Sequence, residues 1–251
     1  MLKAVMFGLT CLLYLGPAQT FAAEIKLLTT NGLRGVLSQV GPQFERESGH
    51  KLIVEYGPGP GLKQRIETGI PFDVAILPLN IDDLAAKGTI ASGSIKVLGR
   101  TGYGAAVKKG SSKPDIATVE SLRRTLLNAR AVAFAAEGVS GIYFQTLLKR
   151  LGISEVMQSK TIAASAVAGS MSSLVSGEAD IAIGGIAVIQ TAPGVDLVGW
   201  LPSDVQSYLV FTAGISGSTK DLKAATALIN MLITPSAAQL FRSVGIEPVT
   251  P

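Results

Sequence analysis

The sequence predicts an α/β fold, a mostly parallel sheet flanked by helices on both faces. Three observations carry this. Wholly apolar runs such as Val74-Ala75-Ile76-Leu77 and Ala131-Val132-Ala133-Phe134-Ala135 are too short for core helices and suit strands buried on both sides. Between such runs lie stretches whose apolar residues recur at three and four, as in Leu222, Ala225, Leu228, Ile229 and Leu232. Polar, glycine-rich loops separate the two kinds of segment, and strand, loop, helix, strand is the pattern of a right-handed crossover unit. No repeat of fixed period is visible.

The first strand falls at residues 24–29, with Ile25, Leu27 and Leu28 apolar. Thr30 or Asn31 is a natural N-cap for a helix over residues 33–48, whose apolar stripe is Leu33, Val36, Leu37, Val40 and Phe44. Pro42 predicts a kink or a split in that helix, and Gly49 closes it. Leu52-Ile53-Val54 is the next β-rich run. It leads into Tyr56-Gly57-Pro58-Gly59-Pro60-Gly61, where three glycines and two prolines exclude regular structure and let backbone amides face a cavity. Leu62 and Ile66 share one helical face, Gly69 fits just past the helix end, and the buried run 74–77 follows. Residues 81–88 read as a short helix with Asp82 and Asp83 early and Lys87 late, matching the helix dipole.

Residues 95–107 are β-like but riddled with glycine. A helix capped by Thr118, with Ser121 in its first turn, precedes the buried strand 131–135. The loop 136–140 then opens a helix over 141–151, ended by Gly152. A weak strand at 160–164, a helix at 167–176 and a strand at 179–183 running into Gly184-Gly185 come next. Residues 195–202 form a strand and turn, and 208–215 another strand. Helices at 221–233 and 237–244 finish the chain, the second capped within Thr234-Pro235-Ser236.

Composition narrows the function classes. A formal charge of +4, with no Lys/Arg run longer than two, argues against a nucleic-acid binder. Lys3, the apolar centre over residues 4–15 and Thr20-Phe21-Ala22 together make residues 1–22 an export signal cleaved before Ala23. The apolar run is shorter than the ~20 residues a spanning helix needs. Cys11 lies inside it, and Gly8-Leu9-Thr10 does not supply the pattern of a lipid-anchored cysteine. The exported chain then has no thiol chemistry, and with His50 as the single histidine no zinc or redox-metal site and no cofactor is expected. His50 reads as a residue of an exposed turn. Neither Gly57-Gly59-Gly61 nor Gly102-Gly104 has the spacing of a dinucleotide-binding loop.

A ligand on such a sheet sits beyond the carboxyl ends of the strands. Loops 29–32, 57–61, 77–78, 137–141, 165–169 and 184–185 occupy that position. They offer mostly backbone N–H groups, with the hydroxyls of Thr30, Ser140, Ser165 and Tyr143. Donors at helix N-termini suit an anion. The alternative for the 57–61 loop is a tight turn that binds nothing. Glu137 would repel an anion unless it points away, pairs with an arginine or works as a base. Asp73 begins a strand and is expected to cap or pair with a neighbour. Arg34, Lys63 and Arg65 lie close to the proposed loops.

Residues 62–78, Gly138-Val139-Ser140-Gly141-Ile142-Tyr143 and Gly177-Glu178-Ala179-Asp180-Ile181-Ala182 resemble, in order and spacing, periplasmic solute-binding proteins of the molybdate-binding type. The resemblance implies the two-lobed type II periplasmic binding fold, with residues 23–101 and 209–251 in one lobe and 102–208 in the other. Residues 95–107 and 208–215 would be the crossings between lobes. It implies a monomer that binds a small anion and serves a membrane ABC permease. The loops above and the resemblance together give as candidate ligand positions Thr30, Asn31, Gly32, Gly59, Pro60, Gly61, Pro78, Ser140, Gly141, Tyr143, Val167 and Gly185. Several depart from the family pattern. The first-loop serine falls at Asn31 or Gly32, the second-loop serine at Gly59, an amide donor at Pro78 and a tyrosine at Gly185. Ser140 and Val167 keep their places. A larger cavity with fewer donors is therefore expected, suited to a small organic carboxylate more than to a tetrahedral oxyanion. The scaffold is also similar to aconitate isomerases, which implies a second reading: an allylic proton shift with Glu137 or Tyr143 as base. A third reading is a binding protein coupled to a sensor.

Overall fold

The computed structural model describes residues 23–165 and 167–249, so the export segment expected over residues 1–22 lies outside the described residues. β1 (Glu24–Thr29) runs through a 3₁₀ turn at Asn31–Leu33 into α1 (Arg34–Ser48). α1 buries Val36, Leu37, Val40 and Phe44, and ends where Gly49 adopts φ 73°. Pro42 sits inside α1 without splitting it. Its neighbour Gly41 has no Cβ for the proline ring to strike, which removes part of the usual penalty. β2 (Lys51–Tyr56), α2 (Gly59–Glu67), β3 (Val74–Leu77) and α3 (Asp82–Ala86) complete the first run. α2 begins within the glycine-proline stretch expected to be loop. Pro60 occupies its first turn, where a missing N–H costs nothing and φ is already helical.

β4 (Lys96–Lys108) leads to α4 (Val119–Asn128). The expected cap is a reciprocal one: Ser121 N donates to Thr118 Oγ1 at 3.0 Å, and Thr118 N donates to Ser121 Oγ at 3.0 Å. β5 (Val132–Ala135), α5 (Val139–Arg150), α6 (Ser154–Gln158), β6 (Thr161–Ala164), α7 (Val167–Ser176), β7 (Ile181–Gly185) and α8 (Ile186–Ile189) follow. α5 starts earlier than expected because Gly138, at φ 102°, turns the chain into it. β8 (Val195–Trp200), β9 (Tyr208–Ile215), α9 (Leu222–Leu232), α10 (Pro235–Ser243) and β10 (Glu247–Pro248) end the chain. Asp221 and Thr234 cap α9 and α10 by accepting from Ala224 N and Ala237 N.

The strand order is β2-β1-β3-β9-β4-β7-β5-β6, with β8 and β10 also paired to β4. β2-β1-β3 and β7-β5-β6 are parallel trios. Every antiparallel pair involves β4 or β9. β4 pairs with β9 over Lys96–Gly102 and with β7 over Tyr103–Ala106, so one strand passes from one half of the molecule to the other.

Period-two side-chain alternation explains why the central strands are apolar on both faces. Leu27, Val74 and Ile76 point to α1, α9 and α10, whereas Leu28, Ala75 and Leu77 point to α2 and α3. In the other half Val132, Phe134, Ile181 and Ile183 face α4, α5 and α6, while Ala133 and Ala182 face α7 and α8. Each half thus has helices on both faces. The carboxyl ends of β1, β3, β5 and β7 are left pointing at the space between the halves.

Candidate functional site

A narrow cleft, partly open to solvent, lies between the two parallel trios. Thr30, Asn31 and Gly32 follow β1, Gly57, Pro58 and Gly59 follow β2, and Pro78 follows β3. From the opposite half come Glu137, Gly138, Val139 and Ser140 after β5, and Gly185, Ala187 and Val188 at the end of β7 and in α8. Thr101, Leu209 and Phe211 reach in from the crossing strands β4 and β9. The two rims come close: a Cβ on Gly138 would stand 3.7 Å from Pro58 Cβ.

The first turns of α2 and α5 and the 3₁₀ turn before α1 all open on this cleft. Their leading N–H groups have no intrahelical acceptor, so they present donors and a partial positive charge. Asn31 Oδ1 is taken by Arg34, whose Nη2 and Nε donate to it at 3.0 and 3.3 Å. Thr101 Oγ1 is turned away and donates to Gly245 O at 2.7 Å. Glu137 is exposed, and its carboxylate has no hydrogen bond or ion pair among the described residues. Among the described residues it is the one charged residue on the cleft wall.

The bare glycine positions have been filled from below. A Cβ on Gly59 would meet Pro78 Cδ at 3.0 Å, one on Gly32 would meet Phe211 Cζ at 3.0 Å, and one on Gly185 would meet Leu209 Cδ1 at 3.2 Å. These contacts are tight enough that a side chain at any of the three requires the apolar neighbour to give. The departures at Gly59 and Pro78 are therefore coupled. These three positions are backed by side chains rather than by open space. Pro78, Leu209 and Phe211 give the cleft an apolar floor.

Of the expected ligand residues, Thr30, Asn31, Gly32, Gly59, Pro78, Ser140 and Gly185 line the cleft together. Pro60 and Gly61 are exposed in the first turn of α2 and do not line it. Gly141 is buried beneath the end of β5, where a Cβ would lie 2.3 Å from Ala135 O. It is there for packing. Val167 opens α7, and its side chain lies outside the described residues. Tyr143 is turned away: its phenol donates to Val205 O at 2.5 Å, and its ring stacks on Tyr103 at 3.9 Å with 7° between planes.

Burial pushes the Tyr143 phenol up to about 12, with the Arg150 charge pulling the other way. It is neither placed nor tuned as a base. Burial also raises the Tyr103 phenol, partly offset by its hydrogen bond with Ser140. Both phenols bind protons more tightly folded than unfolded, so their contribution is complete below about pH 10. It is lost as pH rises from about 10 through the folded pKa. Chemical denaturation at pH 9 and at pH 11 should show lower stability at the higher pH. Tyr143→Phe should reduce that difference.

The other charged candidates pair outside the cleft. Lys63 Nζ donates to Asp83 Oδ1 at 2.7 Å and holds that carboxyl below its usual range. Arg65 bonds Glu55. Asp73 accepts from Lys26 N at 2.8 Å and Thr219 Oγ1 at 2.7 Å, tying β1 and β3 to the turn after β9. His50 Nε2 stands 3.5 Å from Asp221, and its imidazole is only 16% exposed, so it is a packed rather than a surface residue.

Leu209 and Phe211 were not singled out from the sequence. Their i, i+2 spacing on a strand of alternating burial is the signal that marks them, since it sends both to one face.

The family model described as bacterial extracellular solute-binding protein matches residues 25–247. An aconitate isomerase of Pseudomonas sp is 28% identical over 99% of this chain and 95% of its own length. The molybdate-binding protein ModA of Azotobacter vinelandii is 25% identical over 89% of this chain and 90% of its own length. The solved periplasmic molybdate-binding protein of Azotobacter vinelandii superposes with a TM-score of 0.74 at 21% identity, covering 88% of this chain and 98% of that one.

Proposed function

The chain belongs to the bacterial extracellular solute-binding protein family, and from that premise we propose that it captures a small organic carboxylate in the periplasm for a membrane ABC permease. In this reading residues 23–101 with 209–251 form one lobe and 102–208 the other, and the ligand bridges them. Closure follows because the bound anion contacts both rims only when they meet, which favours the closed state. The observation that carries the reading is the mixed lining of the cleft. Neutral amide and hydroxyl donors at helix starts supply the anion's partners. The floor of Pro78, Leu209 and Phe211 offers an apolar surface that a carbon skeleton covers and a bare oxyanion does not. Calorimetric titration with molybdate, tungstate and a panel of small carboxylates tests it. A carboxylate should bind at least ~10-fold tighter than either oxyanion. Tight oxyanion binding with no carboxylate binding refutes it.

A second reading is supported by Glu137, a carboxylate without a partner among the described residues, on the wall of a cleft suited to anions. It would remove an allylic proton from an unsaturated carboxylate and return it to the other end of the allyl unit. The amide donors would hold the delocalised charge between the two steps. The likeness to the Pseudomonas aconitate isomerase supports testing this on trans-aconitate, with the cis isomer as the product to watch.

A further inference from the structure

Arg34 is the first residue of α1, where the positive end of the helix dipole disfavours a cation. Local helix stability does not explain it there. Its guanidinium is nonetheless fixed on two sides: Asn31 Oδ1 accepts from it at 3.0 and 3.3 Å, and its Cζ lies 3.9 Å from the Tyr56 ring centroid. It has no carboxylate partner among the described residues.

Arg34 also lines a second hollow, bounded on the far side by Met171 and Val175 of α7 and by Thr191 after α8. Asn31 and Val188 line both this hollow and the central cleft. The second hollow also joins the halves, since a Cβ on Gly35 would lie 3.0 Å from Thr191 Cγ2. Among the described residues Arg34 is the one charged residue on its wall, and Met171, Val175 and Val188 make much of the rest apolar. A planar fork over an apolar trough matches a carboxylate carried on a short carbon chain.

We propose that Arg34 receives a second carboxylate of the ligand, so that the chain selects small di- or tricarboxylates over monocarboxylates. A ligand with its first carboxylate at the amide donors would pass Asn31 and Val188 and place its second on the guanidinium. The inference rests on the organic-carboxylate reading and names its substrate class.

The test is calorimetry of the wild type, Arg34→Lys and Arg34→Gln with tricarballylate, succinate and succinamate. Succinamate keeps the carbon chain of succinate and replaces one carboxylate by an amide. The wild type should prefer the polycarboxylates over succinamate by ~10- to 100-fold, the worth of a charge-assisted bidentate contact. Arg34→Gln should reduce that preference to about twofold, and Arg34→Lys should leave an intermediate value because the charge stays while the fork is lost. Arg34 is exposed, and both variants should melt within a few degrees of the wild type. Should Arg34→Gln melt early, the Lys variant carries the comparison. A wild-type preference that survives in the variants overturns the assignment of Arg34 while leaving the carboxylate reading intact. Failure of the wild type to bind any of the three overturns both.

Discussion

Gly141→Ala should unseat the first turn of α5 and abolish ligand binding. The added Cβ would lie 2.3 Å from Ala135 O and 2.5 Å from Ala136 O. Both are backbone atoms at the end of a buried central strand, so neither can rotate aside. α5 must lift away, and with it go Ser140, the leading amides and the Tyr103–Tyr143 stack. Overpacking of this kind costs about 1–3 kcal/mol, and the upper end is expected here because the obstacle is main chain. At that upper end the fall in Tm is roughly 6–12 °C for a chain of this size. Gly61→Ala is the control. It too lies in the first turn of a helix, but nothing stands within 4 Å of its added Cβ, so stability should hold or rise slightly. A Gly141→Ala protein as stable and as competent to bind as the Gly61→Ala protein would show that α5 is not seated as described.

Glu137→Gln separates the two functional readings because they predict opposite signs. If the protein only captures an anion, the unpartnered carboxylate repels it, and neutralising it should tighten binding several-fold, more at low salt. If the protein isomerises an unsaturated carboxylate with Glu137 as base, the same substitution should lower turnover by ~10²–10⁴ while the substrate still binds. Titration at two ionic strengths and a trans-to-cis aconitate assay on one preparation read both outcomes. A variant unchanged in affinity and in turnover removes Glu137 from either role.

The parts of the fold that could be read from the residues are those where local chemistry and burial agree. The runs at β3 and β5 are apolar on both faces because helices cover both. The Thr118–Ser121 exchange marks the start of α4 without help from the rest of the chain. Elements with no such local signal went unread. α6 and α8 span only five and four residues, and their N-caps, Ile153 and Gly185, make no side-chain cap. The starts of α2 and α5 lie earlier than the glycine and proline content of their first turns suggests. Here Pro60 fits a first turn and Gly138 makes the entry bend.

The site divides in the same way. Strand ends followed by polar loops led to Thr30, Gly59, Ser140 and Gly185, because that placement follows from topology. The floor did not follow, since whether Leu209 and Phe211 meet Gly185 and Gly32 depends on how β9 lies against β3 and β4. Tyr143 was misplaced for a related reason. A hydroxyl in the right helix turn says nothing of direction, and its ring follows the stack on Tyr103 away from the cleft.

Hydrogen exchange of the purified protein, with and without a bound carboxylate, asks most directly whether one small molecule is gripped from both sides. Amides at Asn31 and Gly32 on one rim, and at Val139 and Ser140 on the other, should slow together and saturate at a single ligand stoichiometry. Protection confined to one rim, or appearing on a surface remote from Pro78 and Phe211, would contradict a ligand held between the halves.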